Sequence, residues 1–152
     1  YPVFGATVRA QDPIPVGRQN PMQDFRTVMR LGLEMLERGR SVILFPQATR
    51  MINFDPARFN TMGIKLARAA KVPVIPIAIK TDFWSPSPLV RDLGPIHRTR
   101  DAHIHFGAPI ADLANPRRAH DLVIAHIRNK LCAWGATVIA SAPEAGADDV
   151  RE

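Results

Sequence analysis

A chain of 152 residues, 46% hydrophobic and 22% charged, can build one globular core and is neither fibrous nor wholly disordered in composition. Its 20 Lys and Arg against 14 Asp and Glu leave a formal charge of +6, which favours phosphates and anionic membrane surfaces. The basic residues are dispersed, without the dense runs of a nucleic-acid binder, and the lone Cys132 excludes an internal disulfide or a thiolate zinc cluster.

The chain opens on Tyr1 in an already apolar run, which reads as the C-terminal portion of a longer protein. Tyr1 to Val8 fits either a strand or the end of a helix. Ile14-Pro15-Val16 reads as a short edge or terminal strand, because each proline removes a ladder donor, and Arg18 follows it. Asn20-Pro21 supplies a helix cap and a first-turn proline; Phe25, Val28, Met29, Leu33 and Leu36 then recur at helical spacing until Gly39. Arg30, Glu34 and Arg38 fall four apart on a face expected to be solvated.

Ser41 to Phe45 is apolar and β-branched, which predicts a buried strand delivering the polar loop Pro46 to Arg50 to a site. Gln47, Thr49 and Arg50 are its chemistry-bearing side chains. A connection over Asn53 to Arg58 leads to a predicted helix, Phe59 to Ala70, with Met62, Leu66 and Ala69 or Ala70 on one face. Val72 to Ile79 reads as a central strand, with Pro73 and Pro76 as local objections. Strand, helix and strand in succession predict a parallel right-handed crossover. Asp82 to Arg100 is a long irregular loop, and His103 to Phe106 alternates as a strand with one wet face, on which His103 and His105 read as a solvated pair rather than as metal ligands, no third ligand being near. Asn115-Pro116 starts a last helix through Leu122, Val123, His126, Ile127, Lys130, Leu131 and Trp134, in which Cys132 is expected to pack inward. No internal repeat is present.

The decapeptide SVILFPQATR, residues 41–50, resembles the FPEGTR block of the glycerolipid acyltransferase superfamily, the 1-acylglycerol-3-phosphate and lysophospholipid acyltransferases. Gln47 stands where that block has Glu, and Ala48 where it has Gly. Three further segments agree in order: Ile14 to Arg18, Phe59 to Gly63, and Val72 to Ile79. The resemblance covers Tyr1 to Trp134 and implies an α/β fold with a mostly parallel central sheet flanked by helices, over residues 1–135, with 136–152 a disordered tail.

It also implies transfer of a fatty acyl group from acyl-CoA or acyl-carrier protein to a lysophospholipid hydroxyl, with no metal or cofactor and with peripheral contact at the cytoplasmic face of the bacterial inner membrane. The superfamily's catalytic HxxxxD block has no counterpart here. The residues five beyond His97, His103, His105, His120 and His126 are Ala102, Ala108, Ile110, Ala125 and Leu131, so the catalytic His and Asp are expected upstream. The implied acceptor-binding residues are Arg18, Gln47, Thr49 and Arg50, Thr49 reading also as a cap of the following turn; Lys65 reads either as a substitute for the family lysine, near whose place Asn60 stands, or as a solvated helix residue. Arg50 suits bidentate phosphate contact, or an ion pair with Asp55 or Asp24. The alternative is a non-catalytic phosphate- or lipid-headgroup-binding remnant of the fold. A generic nucleotide-binding domain is disfavoured, since no GxGxxG or GxxxxGK[ST] loop occurs.

Overall fold

The computed structural model describes residues 12–17, 19–47, 53–83 and 94–139. Among these, the elements in chain order are α1 (Pro21–Glu37), a 3-10 turn (Pro56–Arg58), α2 (Met62–Ala70), β1 (Ile77–Lys80), β2 (His103–Phe106) and α3 (Pro116–Ala133). Both long helices start as the sequence predicts. The Asn20 side chain accepts from the Met22 and Gln23 N–H groups at 3.1 and 3.2 Å, and the Asn115 side chain accepts from Arg118 N–H at 3.1 Å. Each cap satisfies donors that the first helical turn leaves unpaired, an effect of about 1 kcal/mol. Gly39 and Gly135, at φ of 74° and 71°, take the left-handed conformation just past the ends of α1 and α3.

The core lies where α3 crosses the sheet. Ala119, Val123, Ile127 and Leu131 recur every fourth residue and are buried together with Phe54, Ile64, Ala67, Ala78 and Leu113. Cys132 lies off that stripe and is exposed, contrary to the expectation that it packs inward. Helix α2 buries Ile64, Leu66 and Ala67, so of the predicted inward face only Leu66 holds. Its contact with α1 is close because Gly32 has no side chain: a Cβ there would lie 2.8 Å from Leu66 Cδ2.

The α/β class holds, but among the described residues the sheet is two-stranded and antiparallel, with Ile77 opposite Phe106 and Lys80 opposite His103, and the expected parallel central sheet is not seen. Pro73 and Pro76 interrupt the apolar run of residues 72–79. Val74 forms only an isolated antiparallel bridge to Ile110, and Pro76 contributes its carbonyl to Gly107 N–H at 2.8 Å. The one parallel pairing among the described residues is the isolated bridge between Phe54 and Val138.

Residues 41–45 form no ladder with another described segment, so the predicted buried strand is an extended arm. Val42, Leu44 and Pro46 turn inward, while Ile43 and Phe45 are 69% and 75% exposed. Ile14 to Val16 likewise joins no ladder among the described residues, and Pro13 and Pro15 carry no N–H to give. Ala136 and Val138 pack on the core, four residues past Gly135 the chain still bonds Ile139 N–H to Phe54 C=O at 2.8 Å. Residues 1–11 and 140–152, with the Tyr1 to Val8 prediction, lie outside the described residues.

Candidate functional site

The polar loop of residues 46–50 begins where the extended arm meets the start of α2. Leu44 reaches α2 at Gly63, with its Cδ1 3.7 Å from where a Cβ would stand. Two residues on in the arm, the Pro46 carbonyl accepts from Asn60 twice: from the side-chain Nδ2 at 2.7 Å and from the backbone N–H at 3.4 Å. Asn60 Oδ1 in turn accepts from Met62 N–H at 3.0 Å, supplying the cap that Thr61 does not. Gln47 is thereby delivered, half-buried, from an anchored peptide beside a helix N-terminus.

Of the acceptor-binding residues named from sequence, Gln47 and Lys65 are described, and Arg18, Thr49 and Arg50 lie outside the described residues. Lys65 is exposed on α2 and holds its ammonium 5.5 Å from the centre of the Phe25 ring, a cation–π position against α1. A polar depression of about 270 Å³ is lined by Pro15, Gly17, Gln19, Asn20, Gln23, Asp24 and Thr27, among them the sequence neighbours of position 18. Asp24 accepts from Gly17 N–H there at 2.9 Å, and Asp55 pairs with Arg58 at 3.4 Å. Asn60 was legible in the sequence only as a departure from a family lysine. The bond from Met62 N–H to its Oδ1, two residues on, is the local side-chain turn that asparagine favours ahead of a helix.

Four of the five histidines, His103, His105, His120 and His126, make side-chain contacts with other elements. His120 Nε2 meets the Phe59 carbonyl at 2.9 Å, and its ring lies 5.8 Å from that of Phe59. His103 stacks on Trp134 at 5.1 Å and 18°. His105 Nδ1 faces His126 Nε2 at 3.4 Å, so one ring donates and the other accepts. Desolvation lowers the His126 pKa below the ordinary imidazole value, with His105 and Lys130 acting in the same direction. The solvated pair expected at His103 and His105 is therefore corrected: both rings face α3, while Ile104 and Phe106 face outward.

The profile of the Acyltransferase family matches residues 1–80, a stretch that holds the arm, the loop of residues 46–50, α2 and β1. A 1-acyl-sn-glycerol-3-phosphate acyltransferase of Pseudomonas aeruginosa is 32% identical over 84 residues, which make up 55% of this chain and 33% of that protein. The chain thus spans about a third of the length of this relative. No solved structure matches it.

Proposed function

The chain belongs to the acyltransferase family, and on that premise we propose that it forms the acceptor-holding part of an enzyme that acylates a lysophospholipid such as 1-acylglycerol 3-phosphate. The observation that carries this reading is the family match over residues 1–80, which spans the FPQATR loop and its anchor at Asn60. Arg50 and Arg18 would oppose the phosphate dianion, each charge-assisted bond contributing roughly 1.5–3 kcal/mol. Gln47 and Thr49 would bond acceptor hydroxyls, and Lys65 would add a cation nearby. A glutamine keeps the shape of the family glutamate, loses its charge and gains two donors.

In the transfer, the acceptor hydroxyl oxygen forms a bond to the thioester carbonyl carbon and gives its proton to an imidazole base. The C–S bond then breaks, and the thiolate of CoA or acyl-carrier protein leaves and takes a proton. By resemblance that base is the His of an HxxxxD block, which the 152 residues do not contain. None of the described helices is long and apolar enough to cross a membrane. Contact with lipid is therefore proposed as peripheral, at the cytoplasmic face of the inner membrane, supported by the +6 charge.

A second reading, headgroup binding without transfer, is favoured by Gln47 in place of the family glutamate. One assay separates the two: the full-length gene product is incubated with acyl-CoA or acyl-carrier protein and lysophosphatidic acid. Formation of diacylglycerol phosphate supports the enzyme. Tight binding of the acceptor with no transfer supports the second reading.

A further inference from the structure

Asn60 lies 14 positions from Pro46 in sequence, yet it binds both the loop and the helix that follows. Its amide group is used at both ends. Nδ2 donates to the Pro46 carbonyl at 2.7 Å, and Oδ1 accepts from Met62 N–H at 3.0 Å. The Pro46 carbonyl belongs to the same rigid plane as the Gln47 N–H, since the peptide bond between them does not rotate. Fixing that oxygen fixes the direction in which the chain enters Gln47. Leu44 against Gly63 holds the arm two residues earlier, so the Pro46–Gln47 peptide is set by two separate contacts at the start of α2.

Asn60 is itself exposed, which makes this use of it informative. A solvated asparagine has water to satisfy both halves of its amide, and the helix cap requires only its oxygen. An aspartate or serine would cap α2 as well or better. What the side-chain amide adds is a second and shorter donor for Pro46, beside the Asn60 backbone N–H at 3.4 Å, together with an acceptor for Met62.

We infer that Asn60 is a positioning residue for Gln47: it aims that side chain at a hydroxyl of the phosphorylated acceptor by clamping the Pro46 carbonyl to the N-terminus of α2. The inference rests on the acceptor-binding reading of Gln47 given above. Asn60→Asp separates its two tasks. The carboxylate keeps the cap on Met62 and even suits a helix N-terminus, but it cannot donate to Pro46 and faces that carbonyl with like charge.

The test measures the dissociation constant of lysophosphatidic acid, and the melting temperature, for the full-length protein and for its variants Asn60→Asp, Asn60→Ala, Gln47→Ala and Asn60→Asp/Gln47→Ala. The expected result is affinity weakened about tenfold in Asn60→Asp with its melting temperature held, and no further weakening when Gln47→Ala is added, because both changes remove one unit. Asn60→Ala, which loses the cap as well, weakens binding and melts earlier. Wild-type affinity in Asn60→Asp beside weakened binding in Gln47→Ala overturns the positioning role and leaves the acceptor reading standing. Additive losses in the double variant also overturn it. Unchanged affinity in Gln47→Ala, or no binding by the wild-type chain, overturns the acceptor reading and this inference with it.

Discussion

The two faces of the small sheet have opposite fates. Ala78, Lys80, His103 and His105 form the face covered by α3, with Ala78 at 0% exposure. Ile77, Ile79, Ile104 and Phe106 form the other, on which Ile104 and Phe106 are 59% and 65% exposed. The side with the more polar residues is the covered one. The cause is in what α3 brings to it: Trp134 stacks on His103, His126 meets His105, and the methyl of Ala78 leaves room for Val123 and Ile127 to pack. Hydrophobicity alone does not choose the face; the partner element does.

That contrast is easiest to break from the covered side. Ile127→Ala deletes buried methyl groups beneath α3 and is expected to cost about 2–4 kcal/mol, read as a fall in the urea midpoint at constant m value. Gly107→Ala comes next. Its Cβ would stand 2.7 Å from His126 Cε1 and 2.8 Å from Pro76 Cγ, both in rings that cannot fold away, so a loss of roughly 1–3 kcal/mol is expected.

A smaller effect follows from pH. The folded-state pKa of His126 lies below its unfolded value of about 6.5, so the unfolded chain binds more protons in the interval between them. Its contribution is complete above about pH 6.5 and is lost as pH falls from there through the folded-state value. Urea midpoints at pH 7.5 and 5.5 are expected to fall with acidification, and the fall should shrink in His126→Gln. The outward face sets the lower bound: Ile104→Ser removes little buried area and is expected to stay within about 0.5 kcal/mol of wild type by the same measurement. A large loss there would mean that the outward face is covered in solution.

Local signals marked the two long helices correctly. Asn20-Pro21 and Asn115-Pro116 are self-contained cap-plus-proline starts, and Gly39 and Gly135 mark the stops, so nothing distant was needed to read them. Strand pairing was not legible in the same way. Residues 72–79 look like one central strand in composition, but whether they pair parallel or antiparallel depends on residues 103–106, some 30 positions away, and on two prolines that divide the ladder. The covered face of β2 was misread for a similar reason, since alternation locates two faces without saying which one a helix will cover. At the candidate site, the decapeptide of residues 41–50 singles out Gln47 by resemblance alone, whereas the side-chain bond from Asn60 that anchors Pro46 leaves no periodic trace.

The central claim is that the family loop of residues 46–50 holds a phosphorylated acceptor through its arginine. Its most direct test is lysophosphatidic acid binding to the full-length protein and to Arg50→Ala, at low and moderate salt. The account predicts affinity at least tenfold weaker in Arg50→Ala, with the salt dependence of binding reduced and the melting temperature unchanged. Equal affinity for wild type and Arg50→Ala would contradict it.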